Sequence, residues 1–341
     1  MEQGSIYDFL SLVLDNGGEE NPSPIVKAID RLRTATQLWR QRNDPGLARR
    51  NVAHHYDLGD ALYALFLDPD WQYSCAYFEH PNQSLSDAQQ AKKRHIAAKL
   101  LLEPSHRVLD IGCGWGGLAL YMADVCGVGD VLGVTLSQEQ IARAQQRAQA
   151  RALSNQVSFA LTDYRAVVGT FDRIVSVGMF EHVGLGNYDT FFETCHERLE
   201  DDGVMLLHTI GCSDEPSVTN PWITKYIFPG GHLPSLSDIT KAVERSGLVI
   251  TDVEVLRLHY AQTLRAWRDA FMARRAEAVA LFDERFCRMW EYYLAMSETA
   301  FRHERVVVFQ LQITKQPDAV PLTRDYVHQA EAALRAREAA L

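Results

Sequence analysis

The sequence predicts an α/β fold, built on an open and mostly parallel sheet with helices on both faces. Two observations support this prediction. An apolar run at residues 108–111 breaks into a glycine-rich turn at 112–117 and then resumes as a helical pattern from Leu118. Beyond it, short apolar segments alternate with helical segments as far as residue 210. A strand, turn and helix that repeat in this way are typical of βαβ units and a doubly wound sheet.

Seven strands are predicted from the apolar runs. They lie at residues 107–111, 131–136, 157–161, 171–177, 203–210, 249–259 and 305–314. Helices are predicted at residues 86–100, 118–123, 137–152, 188–199, 237–246, 263–281, 284–301 and 324–341. The helix at 137–152 begins with the pattern Ser137-x-x-Gln140, which is that of a capping box.

The N-terminal 50 residues predict a helical segment outside the sheet. Residues 1–14 carry an amphipathic pattern, and residues 17–24 resemble a linker. Apolar positions then recur at helical spacing over residues 25–42, where lysines and arginines are frequent. Such a basic helix is either a solvated face, which composition slightly favours, or a surface that lies on an anionic membrane.

Two further segments interrupt the regular pattern. Residues 51–78 are rich in aromatic side chains and include the pair His54 and His55. Paired histidines more often pack or cap than bind a metal, and no matching acidic cluster follows, so we expect no metal site. Residues 212–235 are aromatic and punctuated by proline and glycine, which is typical of a substrate wall or lid rather than a simple connection.

Composition excludes several classes of protein. A net charge of −10 argues against a nucleic-acid binder, which needs clustered basic surface. Six cysteines without a C-x-x-C pair indicate free thiols in a reducing compartment. The sequence shows neither a secretory signal nor an apolar run of about 18 residues. We therefore expect a cytoplasmic protein whose membrane contact, if any, is peripheral.

The glycine turn has the spacing G-x-G-x-G, with Asp110 two residues ahead of it. It lacks the G-x-x-G step of the dinucleotide fingerprint. A nicotinamide site would also need an acidic residue about 20 positions further on, whereas the next strand leads to Thr135. Dinucleotide binding is therefore disfavoured. A glycine-rich turn that binds no ligand is the other alternative, and this combination of residues argues against it.

Polar residues follow the predicted strands where each strand ends. Because the carboxyl ends of parallel strands form the ligand crevice, we expect five of them to converge. They are Asp110, Thr135, Asp163, Glu181 and His208. Asp110 is expected to orient the glycine turn, and Gln140 is equally well a capping residue or a ligand. An acid and a histidine on neighbouring strand ends are candidates for anion binding or proton transfer.

The motif VLDIGCGWGG at residues 108–117 resembles the S-adenosylmethionine turn of class I methyltransferases. Six further motifs, in the same order, resemble those of cyclopropane-fatty-acyl-phospholipid synthases and mycolic acid cyclopropane synthases. They are YSCAYF at 73–78, GVTLS at 133–137, FDRIVSVGMFEHVG at 171–184, LLHTIG at 206–211, IFPGGHLPS at 227–235 and HYAQTL at 259–264. The resemblance runs from about residue 51 to residue 315.

This resemblance implies a Rossmann-like class I methyltransferase domain at residues 51–316, with a seven-stranded sheet and helical lid insertions. Outside this range, the sequence patterns predict an N-terminal helical segment at residues 1–50, for possible membrane or partner contact, and a peripheral C-terminal helix at residues 317–341. S-adenosylmethionine is the implied methyl donor. The donor site implied by the motifs and by the strand ends comprises Tyr73, Ser74, Asp110, Gly112, Gly114, Thr135, Leu136, Gln140, Asp163 and Tyr164.

Members of this family also bind bicarbonate beside the reacting centre. The matching groups here are Cys75 and Ile210 through their backbone, and Glu181, His208 and Tyr260 through their side chains. A carboxylate beside an anion requires that Glu181 be protonated or paired with His208, so an orienting role is expected for it. The presence of all five residues favours ring closure over simple methylation.

The implied reaction transfers a methylene group from S-adenosylmethionine to the cis double bond of unsaturated acyl chains in phospholipids. It passes through a carbocation, which bound bicarbonate deprotonates in a pocket that excludes water. A fatty-acyl C-methyltransferase with a methyl-branched or methylene product is the alternative, and a donor- or lipid-binding module without catalysis is a third. Peripheral association with the inner face of the membrane and a homodimer are further expectations.

Overall fold

The computed structural model describes residues 4–16, 59–214 and 220–340. A sheet of seven strands lies at its centre. The strands are β1 Arg107–Ile111, β2 Asp130–Thr135, β3 Val157–Leu161, β4 Phe171–Val177, β5 Leu199–Cys212, β6 Val249–Val255 and β7 Val306–Thr314. Their order across the sheet is β3-β2-β1-β4-β5-β7-β6.

Strands β1 to β5 pair in parallel, and β7 inserts antiparallel between β5 and β6. The predicted mostly parallel sheet of seven strands is therefore confirmed. The strand boundaries differ most from the prediction at β5, which runs from Leu199 to Cys212, and at β6, which ends at Val255 before a helix that begins at His259. The carboxyl ends of β1, β2, β4 and β5 meet at one edge, which is where ligands bind in folds of this class.

Helices cover both faces of the sheet and extend beyond it. They are α1 Ile6–Asn16, α2 Asp60–Tyr63, α3 Leu85–Lys99, α4 Gly117–Asp124, α5 Gln138–Ala150, α6 Tyr188–Arg198, α7 Pro221–Tyr226, α8 Leu236–Ser246, α9 His259–Ala273, α10 Arg275–Leu281, α11 Glu284–His303 and α12 Asp325–Glu338. One core contains residues of α3, α4 and α5, and a second contains residues of α6 and α8. A third core, rich in aromatic residues, lies among α2, α9 and α11.

The predicted capping box of α5 is only half formed. Ser137 Oγ accepts from the backbone N–H of Gln140 at 3.3 Å, as an N-cap does. The side chain of Gln140 does not return the bond, because its Oε1 accepts from Thr135 Oγ1 at 2.8 Å instead. A complete box is found at α8, where Ser235 and Asp238 bond reciprocally.

The N-terminal helix α1 packs against α11. Asp15 Oδ1 lies 2.8 Å from His303 Nδ1, and the guanidinium of Arg268 lies over the ring of Tyr7 at 4.5 Å. The predicted linker, the basic helix at 25–42 and the histidines at 54 and 55 lie outside the described residues. Within the described ranges, no helix combines the length and apolar character needed to cross a bilayer.

The C-terminal helix α12 lies outside the sheet but is firmly attached to α3. Glu338 pairs with the buried Arg94, and Glu331 Oε1 lies 2.6 Å from His95 Nδ1. Val327 and Leu334 are also buried against the domain. The helix that the sequence predicts as peripheral therefore contributes charged partners to the interior of the domain.

Candidate active site

The glycine turn after β1 forms one wall of a cavity. Gly112 has a φ of 82°, and a Cβ there would lie 2.7 Å from Met179 Cβ, so no side chain fits. The backbone N–H groups of Gly112 and Cys113 donate to the carbonyl of Val134 at 2.9 and 3.0 Å, which fixes the turn against β2. Gly114 has a φ of 53° and faces open space. A ligand can therefore approach the backbone closely at Gly114.

A cavity of about 150 Å³, here called the glycine-turn cavity, lies beside this turn. All ten residues that the sequence assigns to the methyl donor line it. They are Tyr73, Ser74, Asp110, Gly112, Gly114, Thr135, Leu136, Gln140, Asp163 and Tyr164. The tertiary structure thus brings them together, although their role in binding stays a prediction.

Asp110 is the buried acid of this cavity, with 2% of its surface exposed. Its Oδ2 has no hydrogen-bond partner among the described residues, so this oxygen does not orient the glycine turn as we expected. Burial raises the pKa of Asp110 to about 7. A buried carboxyl with an unmatched oxygen suits a cationic ligand, because a positive charge favours the ionised form.

Asp163, at the end of β3, is held by a neighbour that sequence reasoning missed. Arg165 donates to both of its carboxylate oxygens, from Nε at 2.8 Å and from the terminal guanidinium nitrogen at 2.7 Å. Arg165 also lines the glycine-turn cavity. Nothing in the local sequence distinguishes this arginine from a solvated one, because its role depends on the turn that follows β3.

Lys92 on α3 is a second residue that the sequence did not indicate. It is 1% exposed and lines the glycine-turn cavity. Its Nζ donates to Ser74 Oγ at 2.8 Å and to Gln72 Oε1 at 2.6 Å. Burial lowers the pKa of Lys92 to about 8. A lysine in a Lys-Lys-Arg run is normally exposed, so only the packing of α3 reveals that Lys92 is buried beside the cavity.

A second cavity of about 440 Å³, here called the large cavity, adjoins the first. All five residues that the resemblance assigns to the anion line it, namely Cys75, Glu181, His208, Ile210 and Tyr260. The two cavities share four lining residues, which are Tyr73, Ser74, Gly178 and His182. A group bound in one cavity is therefore close to a group bound in the other.

The polar contacts in the large cavity differ in two respects from what we expected. The backbone N–H of Ile210, which the resemblance assigns to the anion, donates to Glu181 Oε1 at 2.7 Å. His208 does not pair with Glu181 among the described residues, because its Nδ1 lies 3.0 Å from Gln310 Nε2. Glu181 Oε2 has no partner there, and burial raises the pKa of Glu181 to about 7. Protonated Glu181 can therefore donate a hydrogen bond from Oε2.

Aromatic rings form much of the wall of the large cavity. Tyr73 stacks on Trp267 with ring centroids 5.1 Å apart, and its hydroxyl lies 3.0 Å from that of Tyr293. Tyr260 packs against Phe301 at 4.9 Å. These rings help to make the lining of the large cavity mainly apolar, and an aromatic face stabilises a desolvated cation by about 2 kcal/mol.

The aromatic insertion predicted at 212–235 contributes to the same wall. Asn220, Ile223 and Phe228 line the large cavity, and Trp222 packs edge-on against Tyr292 of α11 at 4.9 Å. Residues 215–219 lie outside the described ranges. Within the described part, the insertion lines the large cavity, and its role as a substrate wall stays a prediction.

Comparison with known proteins identifies the family. The family model described as mycolic acid cyclopropane synthetase matches residues 44–311. The cyclopropane-fatty-acyl-phospholipid synthase of Escherichia coli is 47% identical over 261 residues, which cover 76% of this chain and 66% of that protein. A probable fatty acid methyltransferase of Pseudomonas putida is 38% identical over 81% of this chain and 72% of its own length.

A solved structure agrees with these sequence matches. The crystal structure of mycolic acid cyclopropane synthase CmaA1, complexed with SAH and CTAB, superposes with a TM-score of 0.73 at 37% identity. The match covers 78% of this chain and 97% of the solved one. Together with the seven-stranded sheet and the glycine turn, these likenesses establish the fold as that of a class I methyltransferase. The chain belongs to the mycolic acid cyclopropane synthetase family.

Proposed function

We propose that this protein is an S-adenosylmethionine-dependent cyclopropane synthase that acts on unsaturated acyl chains of phospholipids. The large cavity carries the proposal, because an anion-binding set and aromatic walls lie directly beside the glycine-turn cavity. The name of the Escherichia coli relative supports a phospholipid substrate, although the match spans just under two thirds of that protein.

The glycine-turn cavity fits the methyl donor. Asp110 provides a buried oxygen without a partner, and Gly114 leaves open space where a ligand approaches the backbone. The SAH in the solved relative supports this assignment. When bound, S-adenosylmethionine supplies an electrophilic methyl group. The chain must align this methyl group with the double bond. Alignment of this kind lowers the activation barrier by roughly 7–11 kcal/mol.

The large cavity fits a small anion beside the acyl chain. His208, Tyr260 and protonated Glu181 supply hydrogen-bond donors, whereas the Ile210 N–H holds Glu181 in place. When bound, bicarbonate supplies a base for the proton that leaves the added carbon as the ring closes. The aromatic wall would exclude the water that otherwise converts the carbocation on the acyl chain to an alcohol.

Peripheral association with the inner face of the membrane forms part of the proposal. Helix α1 supports it, because Phe9, Leu12 and Val13 are 48%, 63% and 47% exposed while the helix packs on α11. Exposed apolar side chains on an amphipathic helix can insert into the headgroup region. The homodimer stays a prediction, which sedimentation equilibrium of the purified chain can check.

The test is incubation of the full chain with methyl-labelled S-adenosylmethionine and vesicles of unsaturated phospholipid. We expect a lipid heavier by one CH₂ unit and ring-proton signals of a cyclopropane in its NMR spectrum. His208→Ala should abolish the product while donor affinity is retained. A chain that binds the donor but yields no heavier lipid would refute the proposal.

The fatty-acyl C-methyltransferase is a second candidate, favoured by the Pseudomonas putida relative described as a probable fatty acid methyltransferase. Its product would be a methyl-branched or methylene chain. The same NMR spectrum separates the two activities, because a methyl-branched chain lacks ring protons and a methylene product retains vinyl protons.

A further inference from the structure

His208 and Gln310 form a buried cross-strand pair. They lie opposite each other on β5 and β7, which are antiparallel, and both are at most 2% exposed. The distance from Gln310 Nε2 to His208 Nδ1 is 3.0 Å. The second nitrogen of the ring, Nε2, is not engaged by Gln310, and His208 lines the large cavity.

Lys99 determines which end of the Gln310 amide faces His208. Lys99 Nζ lies 2.8 Å from Gln310 Oε1, and the same Nζ forms an ion pair with Glu254. An ammonium group has donors but no acceptor, so it requires the oxygen end of the amide. The nitrogen end of Gln310 must then face His208.

An amide nitrogen donates, so His208 Nδ1 must accept and carries no proton. The neutral ring then holds its proton on Nε2. We propose that Gln310, itself oriented by Lys99, is a positioning residue that fixes His208 as the neutral Nε2–H tautomer. His208 then offers a hydrogen-bond donor to the large cavity and does not act as a base.

The charges around His208 support a neutral ring. Lys92, Lys99 and His95 of α3 act against a charged ring, and Glu254 of β6 opposes them. Burial, together with these cations, lowers the pKa of His208 to about 3. Both ring nitrogens of His95 face carboxylate oxygens, which favours its charged form. Although burial opposes it, hydrogen bonds of 2.6 Å to both Glu254 and Glu331 raise the pKa of His95.

The inference that His208 carries its proton on Nε2 is independent of the reaction. The inference that this N–H donates to a bound anion rests on the proposed function. In the proposed reaction, a fixed Nε2–H gives His208 and the bound anion different roles. His208 holds the anion, and the anion rather than the imidazole receives the proton. A second proton on Nδ1 would require the amide of Gln310 to rotate and place its nitrogen against Lys99.

The test is ¹⁵N NMR of the histidine side chains in the full chain, with His208 assigned by its loss in His208→Gln. We expect an unprotonated Nδ1 and a protonated Nε2 that do not titrate between about pH 6 and pH 8. A protonated Nδ1, or titration in that interval, would overturn the proposal. This measurement requires neither substrate nor turnover, so it is unaffected if the proposed activity proves wrong.

Gln310→Glu extends the test to catalysis. Its carboxylate can still pair with Lys99 but can only accept, so the proton should move to His208 Nδ1. If the wild type makes a cyclopropane product, we expect turnover to fall roughly 100-fold while donor affinity is retained. Gln312→Glu is the matched control, because Gln312 lies on the same strand and bonds to Lys99 O and the Tyr326 hydroxyl.

The control should leave the His208 spectrum unchanged. An unchanged tautomer in Gln310→Glu would overturn the role of Gln310, and so would full turnover of that variant. If Gln310→Glu does not fold, the wild-type spectrum still decides between the two tautomers.

Discussion

The backbone N–H of Ile210 donates to Glu181 Oε1 at 2.7 Å, so an amide two residues after His208 holds a carboxyl group in the large cavity. The carboxyl is fixed by one oxygen, and its other oxygen has no partner among the described residues. Glu181 therefore has a defined orientation and, with a pKa near 7, a proton to donate or release near neutral pH.

We predict that Glu181→Met loses turnover roughly 100-fold or more while donor affinity is retained. Methionine is close to glutamate in size but can neither accept from the Ile210 N–H nor donate to an anion, whereas the matched control Glu181→Gln can do both and should stay largely active. Product formation with unsaturated vesicles measures turnover, and calorimetry with S-adenosylhomocysteine measures affinity. A fully active Glu181→Met variant would contradict the role of Glu181 in the anion site.

Asp110 should make stability depend on pH. Burial raises its pKa from 3.8 to about 7, so the folded chain holds the proton more tightly than the unfolded chain. The stability it contributes is complete below the unfolded pKa and is lost as the pH rises through about 7. Relative to Asp110→Asn, the free energy of unfolding of the wild type should fall by about 4 kcal/mol between about pH 4 and pH 8.

Urea unfolding of both proteins, without donor, over that pH range measures this difference. Asparagine does not titrate, and the contributions of the other ionisable groups to the pH dependence of stability cancel when the two proteins are compared. Parallel pH profiles for the two proteins would contradict the raised pKa of Asp110.

Lys92 should support donor binding rather than turnover. Lys92→Met removes the charge-assisted hydrogen bonds to Ser74 and Gln72 and should weaken the affinity for S-adenosylhomocysteine roughly tenfold. The control is Lys93→Met, since Lys93 pairs with Asp70 at 2.7 Å and does not line the glycine-turn cavity. Calorimetry of both variants makes the comparison, and equal loss in both would contradict the assignment.

Gly114 should be required for ligand approach rather than for folding. A Cβ there meets no atom within 4 Å and projects into open space beside the turn, while the positive φ costs alanine roughly 1–2 kcal/mol. Gly114→Ala should therefore lose donor affinity. Gly127→Ala is the matched control, because Gly127 also has a positive φ and open surroundings but lies outside the cavity.

Thermal unfolding should show a similar small loss of stability in both glycine variants. Donor affinity should fall only in Gly114→Ala. Unchanged affinity in that variant would mean that the ligand does not approach this part of the turn.

Leu12 on α1 should contribute to membrane association. Leu12→Ser should reduce co-sedimentation with phospholipid vesicles roughly tenfold, because it removes an exposed apolar side chain from the helix face. Leu322→Ser is the control, since Leu322 is fully exposed but lies between β7 and α12. Equal binding of the two variants would exclude α1 from the membrane contact.

Much of the fold could be predicted from the sequence because its signals are local. Short apolar runs and the glycine turn predicted the seven strands and the position of the ligand edge. The motifs of the resemblance and the strand ends together named fifteen residues, and the structure places ten around one cavity and five around the next. The capping box failed as a prediction because the spacing of Ser137 and Gln140 does not reveal that Thr135 competes for the glutamine side chain.

By itself, the sequence determined the order of strands and helices, since periodicity and turn residues act over a few positions. Only the tertiary structure decided which distant polar groups meet. Lys99, His208 and Gln310 are separated by about 100 residues at each step, and they meet through the register of β5 against β7 and the packing of α3. A shift of one residue in that register would turn Gln310 to the other face of the sheet, so no local pattern encodes the contact.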